Sequence, residues 1–163
     1  MSKTTAGKCM CGAVRWRCTG EPVWCGHCHC TDCRANTGAA FSTFVGVGAG
    51  SVAWSGNKPA IYTSSPGVER LFCNACGTPV AYRSNRWPNE IHFYLERFRS
   101  VESAPLLCFV AYSYSKTAHT FREYALGQLA GTDVTPQFHV YWSERVEWVV
   151  LADDLPRHDK ASG

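Results

Sequence analysis

The stretch FCNACGTPVAY, residues 72–82, gives the strongest indication of how this chain folds. It carries Cys73 and Cys76 in a C-x-x-C motif, and a C-x-C motif near the N-terminus carries Cys9 and Cys11. Each motif ends in a glycine, which lets backbone N–H groups turn toward the sulfurs. Four thiolates complete a tetrahedral zinc site and leave no open position. The sequence therefore predicts a structural zinc that ties the first strand to the middle of the chain.

The rest of the chain predicts a series of short strands. Residues 13–18, AVRWRC, alternate Val14, Trp16 and Cys18 with arginines, which is the period of a half-buried strand. Further apolar stretches of similar length follow, separated by Gly, Pro, Asn and Ser. They lie at residues 40–47, 51–54, 60–64, 68–73, 79–84, 91–98, 106–114, 138–142 and 147–151. We therefore expect a mainly β fold of short antiparallel sheets.

One or two short helices are expected besides the strands. The stretch TDCRAN, residues 31–36, predicts a single helical turn capped by Thr31 or Asp32. Residues 116–131 carry apolar side chains at helical spacing and end at a glycine. The chain of 163 residues contains no internal repeat, low-complexity tract or linker. We therefore expect a single domain spanning residues 1–163.

A second cysteine group lies in CHCTDC, residues 28–33. Cys28, Cys30 and Cys33 are spaced C-x-C-x-x-C and offer three thiolates. Three protein ligands leave an exchangeable position on zinc, as catalytic zinc sites do. Cys33 would lie in the first turn of the predicted helix, where the helix dipole favours a thiolate. The spacing thus predicts a catalytic zinc.

The closure of this second group is left open by its neighbours in sequence. Cys25, His27 or His29 could supply a fourth ligand, which would make the site structural. The remaining two cysteines, Cys18 and Cys108, lie in strand patterns and are expected to be inert core residues.

Charge and hydropathy exclude several classes of function. The net charge of +3 comes from scattered residues, which argues against nucleic-acid binding. The N-terminus lacks the apolar core of a secretory signal, and no apolar run is long enough to span a membrane. We expect a cytoplasmic protein, in which clustered cysteines serve as metal ligands rather than disulfides. A zinc deaminase needs a glutamate two positions after a histidine, and no histidine here has one.

Four segments together resemble one known family. They are GKCMCGAVRW (7–16), CHCTDCRANTGAAF (28–41), FCNACGTPVAY (72–82) and PQFHVYWSERVEWVVLADDLP (136–156). The sequence resembles the glutathione-dependent formaldehyde-activating enzymes, a family that includes centromere protein V. This resemblance implies a zinc-bearing β fold of tent-like sheets. It also implies two zinc ions, a structural one on Cys9, Cys11, Cys73 and Cys76 and a catalytic one on Cys28, Cys30 and Cys33.

The activity implied by the resemblance is that of a carbon–sulfur lyase or synthase. Its substrates would be glutathione or a similar thiol and formaldehyde or another small aldehyde, joined in a hydroxymethyl thioether adduct. Arg34, next to the second cysteine group, is the predicted catalytic-site partner of a glutathione carboxylate. Arg83 and Arg86 are expected on the surface, and His92 and His139 are expected to be hydrogen-bonded core or edge residues. The alternative is a non-catalytic, zinc-stabilised interaction module.

Residues 96–134 form a longer segment than the resemblance leads us to expect. Members of the family pass through this part of the fold with a short loop. The inserted segment contains the apolar stretch 106–114 and the predicted helix 116–131. It would either cover the second cysteine group or build the contact of a homodimer.

Overall fold

The computed structural model describes residues 4–98 and 134–161 of the chain. This part is built mainly from β-strands, as predicted. In chain order the strands are β1 Thr4–Lys8, β2 Val14–Thr19, β3 Trp24–Cys28, β4 Ser42–Gly48, β5 Val52–Gly56, β6 Ala60–Ser65, β7 Val68–Phe72, β8 Pro79–Ser84, β9 Glu90–Tyr94, β10 His139–Val140 and β11 Arg157–His158. The α-helix α1, Thr31–Thr37, follows β3, and short 3₁₀ turns occupy Ala49–Ser51, Leu95–Arg97 and Trp142–Glu144.

The strands form two sheets. The smaller sheet has the order β1–β2–β5, with both pairings antiparallel. The larger sheet has the order β11–β10–β3–β4–β9–β8–β7–β6. Its pairings from β3 to β6 are antiparallel, whereas β10 runs parallel to both β3 and β11. Residues after 134 therefore extend the edge of the larger sheet beside β3.

The core lies between the two sheets. Side chains of β2 are alternately buried and exposed, so Val14, Trp16 and Cys18 all face inward. The ring of Trp16 stacks on Phe93 of the larger sheet, with centroids 5.0 Å apart and planes at 14°. Burying an aromatic or branched side chain of this size contributes about 1.5–3 kcal/mol. A Cβ atom on Gly7 would lie 2.3 Å from the Trp16 ring, so the adjacent strand needs glycine at this point.

Several strand boundaries differ from those predicted. Strands β1, β3 and β11 were not expected, and residues 147–151 form no strand. Val150 in that stretch is 87% exposed, so its apolar alternation does not face the core of the described residues. The predicted strand 91–98 ends at Tyr94 and continues as a 3₁₀ turn, and the strand predicted at 138–142 shortens to two residues.

Two sequence predictions fall outside the described residues. They are the strand at 106–114 and the helix at 116–131, and most of the inserted segment 96–134 lies there too. Within residues 4–98 and 134–161, no helix is both long and apolar enough to cross a membrane.

Candidate functional site

The first cysteine group joins one turn from each sheet. Cys9 and Cys11 lie in the turn between β1 and β2, while Cys73 and Cys76 lie in the turn between β7 and β8. The four sulfurs all lie within 4.8 Å of one another. The glycines that end the two motifs have φ angles of 75° and 70°, as positions that turn the backbone back on itself require.

The spacing of these sulfurs fits a tetrahedral metal. The Cys11 sulfur lies 3.5 Å from that of Cys9 and 3.8 Å from that of Cys73. Zinc–sulfur bonds of about 2.3 Å give tetrahedron edges of about 3.8 Å. The group as a whole can therefore hold one metal ion with four sulfur ligands and no position left over.

Hydrogen bonds favour thiolates at two positions of this first group. The Thr78 hydroxyl donates to the Cys76 sulfur at 3.0 Å and lowers the pKa of Cys76 to about 5. Burial raises the pKa of Cys9, but the Val14 N–H donates to its sulfur at 3.3 Å, and the net effect is a lowered pKa. At Cys11 the backbone of Ala13 lowers the pKa, but the thiols of Cys76 and Cys9 raise it to about 11. Deprotonated cysteines are the form that binds zinc.

The second cysteine group surrounds the junction of β3 and α1. Cys28 ends β3, Cys30 precedes the helix and Cys33 lies in its first turn. The sulfurs of Cys28 and Cys33 are 3.6 Å apart, and all three sulfurs lie within 4.8 Å of one another. These distances match three corners of the same kind of tetrahedron.

The N-cap of α1 differs from the prediction. The cap is Cys30, whose sulfur accepts the N–H of Cys33 at 3.3 Å, so the prediction of Thr31 or Asp32 as the cap is wrong. The N–H and hydroxyl of Thr31 instead donate to Glu144 at 2.8 and 3.0 Å. A sulfur that caps a helix is fixed in position by the backbone of that helix. Cys30, which caps the start of α1, is therefore itself part of the second cysteine group.

The three thiols of the second group share their protons unequally. Hydrogen bonds from Cys28 and Cys33 lower the pKa of Cys30 to about 3. Those bonds and burial raise the pKa of Cys28 well above its ordinary value. These shifts favour Cys30 as the thiolate of the group, and metal binding has to release the protons of the other two thiols.

The three residues that could have closed this group lie elsewhere. Cys25 points into the core between the sheets, where burial raises its pKa to about 12. The His27 ring hydrogen-bonds Thr43 at 2.9 Å, and His29 hydrogen-bonds His139 at 2.9 Å. Within residues 4–98 and 134–161, no fourth Cys, His, Asp or Glu joins the three sulfurs.

A chain of three hydrogen-bonded polar side chains, of which the two histidines are buried, holds the segment between Cys28 and Cys30. The ring of His29 bonds to His139, which bonds in turn to Asp153 at 3.0 Å. His139 is completely buried and stacks on His27 with centroids 4.9 Å apart. The prediction that His139 is a satisfied core residue is confirmed. The same holds for His92, which is buried and bonds to Glu90 at 3.1 Å.

A cavity of about 670 Å³ opens beside the second cysteine group. Its lining includes Cys28, Cys30 and Cys33 and six aromatic side chains, those of Trp24, Phe44, Tyr82, Trp87, Phe138 and Tyr141. Ligand pockets typically have about this volume and this mixture of aromatic walls and few polar groups. The open side of the three-sulfur group therefore faces space for a small organic molecule.

The cation in this cavity is not the one that the sequence suggested. Arg34 is absent from the lining, and its guanidinium donates to the His29 carbonyl and the Thr31 hydroxyl, both at 3.1 Å. Arg70 of β7 lines the cavity and is only 6% exposed. Arg83 and Arg86 are exposed, as predicted.

Sequence reasoning missed Arg70 because it lies 37 positions from Cys33 and carries no motif. Burial would lower the pKa of Arg70, but its interactions with Cys33 and Tyr94 raise it, so the guanidinium stays charged. The one available signal was an arginine among the apolar residues of a short predicted strand.

The model of the glutathione-dependent formaldehyde-activating enzyme family matches residues 4–104, a range that includes both cysteine groups. The chain belongs to this family. The matched range ends within the inserted segment 96–134, before the family-like stretch 136–156.

Two individual proteins are similar to this chain. An uncharacterized lyase of Schizosaccharomyces pombe is 32% identical over 99 residues, covering 60% of this chain and 70% of its own. A crystal structure of a Rhodobacter sphaeroides protein superposes with a TM-score of 0.49 at 18% identity, covering 61% of this chain and 91% of that one.

Proposed function

We propose that the protein is a zinc-dependent carbon–sulfur lyase or synthase that acts on the adduct of glutathione, or a similar thiol, with formaldehyde or another small aldehyde. The observation that carries the proposal is the three-sulfur group, which has no fourth protein ligand among the described residues and faces a cavity of about 670 Å³. Membership of the formaldehyde-activating family and the lyase name of the S. pombe relative support it.

The two cysteine groups would hold two zinc ions with different tasks. Cys9, Cys11, Cys73 and Cys76 would bind a structural ion, since four thiolates fill its coordination sphere. Cys28, Cys30 and Cys33 would bind the second. When bound there, zinc would supply a fourth position that favours the deprotonated form of a thiol.

The charge of the second group favours a thiol over a water nucleophile. Three thiolates and one divalent cation carry a net charge of about −1, which weakens the ability to polarise a carbonyl compared with a histidine-rich site. A soft sulfur matches the soft cysteine ligands better than oxygen does. The buried guanidinium of Arg70 offsets the negative charge on the cavity side.

The reaction would consist of one addition and one proton transfer. The thiol gives up its proton, its sulfur forms a bond to the carbonyl carbon of the aldehyde, the π pair of the C=O bond moves to oxygen, and that oxygen takes up a proton. Cleavage of the adduct is the reverse. The cavity would hold both reactants together, which replaces an encounter in solution by a reaction within one complex. A reducing cytoplasm, the compartment that the sequence predicts, keeps such thiols reduced.

Calorimetry with two ligands tests this proposal. Glutathione should bind the zinc-loaded protein distinctly more tightly than S-methylglutathione, because the methylated sulfur cannot become a thiolate. After removal of the more weakly held zinc, the two ligands should bind with nearly equal affinity. Cys28→Ser should abolish the preference for the thiol. Cys25→Ala is the matched control, because Cys25 lies three positions earlier but faces the core.

An interaction module would show no preference for the free thiol in any metal state. That outcome would contradict the proposed enzymatic activity and would be consistent with a zinc-stabilised fold alone. Arg34→Ala in the same titration tests the predicted carboxylate contact of Arg34: a loss of about 1.5–3 kcal/mol would establish it. Unchanged affinity would leave Arg34 as the residue that fastens α1 to the His29 carbonyl.

A further inference from the structure

The guanidinium of Arg70 has an unused donor beside the cavity. Arg70 lies in the middle of β7, opposite Tyr82 of β8, and is 6% exposed. Its Nη1 atom is buried and has no hydrogen-bond partner, a property that one other side-chain atom in the described residues shares, the Trp16 Nε1. Buried polar groups are almost always paired, and leaving one unpaired is costly for a charged group. An unpaired guanidinium nitrogen at the wall of a cavity therefore points to a ligand.

The rest of the Arg70 side chain is held in place. Its Nε donates to the Ser64 hydroxyl at 3.2 Å, and its guanidinium carbon lies 5.6 Å from the centre of the Tyr82 ring. The Nη2 atom is 3.9 Å from Asp32, a carboxylate that is 77% exposed and too distant for a hydrogen bond. These neighbours fix the orientation of the guanidinium and leave Nη1 without a hydrogen-bond partner. A donor oriented in advance needs no rearrangement when charge develops beside it.

The position of Arg70 relates it to the reacting centre. It lines the same cavity as Cys28, Cys30 and Cys33, and its guanidinium interacts with Cys33 and Tyr94 through side-chain hydrogen bonding as well as charge. Among the described lining residues it is also the one arginine or lysine, beside the three acids Asp32, Glu90 and Glu144. Any negative charge that forms near the three sulfurs therefore has Arg70 as its basic neighbour in this part of the chain.

We propose that Arg70 Nη1 donates a hydrogen bond to the aldehyde oxygen as it becomes an alkoxide. The inference rests on the proposed function. When the thiol sulfur adds to the carbonyl carbon, the C–S bond forms and the π pair of the C=O bond moves to oxygen. Arg70 stabilises that charge until the oxygen takes a proton. In the cleavage direction the same contact forms as the hydroxyl of the adduct loses its proton and the C–S bond breaks.

The alkoxide fits Arg70 better than a carboxylate of glutathione does. The developing oxygen is two bonds from the reacting sulfur. The carboxylate carbons of glutathione are each at least six bonds from that sulfur, so they lie farther from the three cysteines. A contact that strengthens only as charge develops accelerates the reaction without tightening the binding of the thiol.

The test compares variants of the zinc-loaded, full-length protein. Arg70→Met removes the charge and the donors and keeps an unbranched apolar side chain in place of the aliphatic part of arginine, and Arg70→Lys keeps the charge without the planar guanidinium. Arg83→Met is the control, since Arg83 lies on the neighbouring strand, is exposed and pairs with Glu69. The rate of adduct exchange is read with ¹³C-formaldehyde above the uncatalysed background, and glutathione affinity is measured separately by calorimetry.

We expect Arg70→Met to lower kcat about 10²–10³-fold while KM and Kd for glutathione stay at wild-type values. Arg70→Lys should lose less, and Arg83→Met should behave like the wild type. Zinc content and melting temperature check that the variants are folded. If Arg70→Met does not fold, the kinetics of Arg70→Lys decide the test.

Two results would overturn the inference. One is an unchanged kcat in both Arg70 variants, and the other is a weaker affinity for glutathione with kcat intact, which would make Arg70 an anchor for the substrate. If the wild-type protein neither prefers a free thiol nor exceeds the background rate, the proposed function fails first and this inference fails with it.

Discussion

The two cysteine groups use the same local device in different surroundings. Both combine short cysteine motifs, and their sulfur–sulfur distances of 3.5–3.8 Å in the first group and 3.6 Å in the second are alike. The first group joins turns of two sheets, and four sulfurs meet there. The second sits at the end of one strand, with three sulfurs beside a cavity. The count of ligands and the space next to them, rather than the motif, distinguish the proposed structural site from the proposed catalytic site.

The protein around each group follows the same division. Sulfurs of the first group accept bonds from Val14 N–H and the Thr78 hydroxyl, which are groups that stabilise thiolates. Beside the second group, a buried arginine lines the cavity, and hydrogen bonds from His29 to His139 and from His139 to Asp153 hold the segment between Cys28 and Cys30. Each feature of this comparison can be tested separately.

The largest difference should appear when one ligand of each group is removed. Cys76→Ser should yield insoluble protein or a greatly reduced melting temperature, because structural zinc sites contribute an apparent binding free energy of about 10–16 kcal/mol to folding. Cys28→Ser should yield folded protein without activity. Calorimetric melting of both variants, together with far-UV circular dichroism, measures the contrast. Equal losses of melting temperature would remove the functional distinction between the two groups.

Exchange of zinc should separate the groups kinetically. We expect two zinc ions per chain, one that passes rapidly to a chromogenic chelator and one that passes slowly, because an incomplete set of protein ligands leaves a position for the chelator to attack. Elemental analysis gives the count, and stopped-flow absorbance gives the two phases. Cys28→Ser should delete the rapid phase alone. A single phase, or one zinc ion per chain in protein never exposed to chelator, contradicts the two-site description.

The smallest expected effect concerns the frame of the second group. Asp153→Ala leaves the buried His139 Nε2 without its partner, and we expect it to lower the free energy of unfolding by about 1–2 kcal/mol. Asp154→Ala, the neighbouring exposed aspartate, is the matched control and should change the free energy of unfolding very little. Urea denaturation of the two variants at neutral pH gives both values. Equal values would mean that the histidine chain does not support the fold.

Local spacing explains how much of the site could be predicted. The seven cysteines fall into two groups of four and three in the structure, as the sequence spacing indicated, because C-x-C and C-x-x-C motifs place sulfurs side by side whatever surrounds them. The helix at α1 was found for the same reason. The N-cap of α1 was not predicted, because a cysteine at that position was interpreted as a metal ligand rather than as a helix cap.

The features that the sequence did not predict depend on contacts between residues far apart in the chain. Strand β3 contains Cys, Gly and His, which do not favour strands, and Gly26 is needed because a Cβ there would lie 2.4 Å from the Phe138 ring. The position of Arg70 at the cavity follows only from the order of the strands, which determines that β7 contributes to the cavity lining. The bond between His29 and His139 joins positions 110 residues apart, and no local pattern announces such a pair.

The parallel strand β10 also sets an order of events during synthesis. All four ligands of the first group have been translated once the ribosome passes Cys76, whereas Cys28 and its two neighbours wait for His139 and Asp153. At about 5–20 residues per second, the roughly sixty residues between Cys76 and His139 take some 3–12 s. If the two groups hold the ions proposed above, a nascent chain can therefore bind the structural ion while Cys28, Cys30 and Cys33 still lack the support of His139 and Asp153. Completion of the first group then precedes completion of the second.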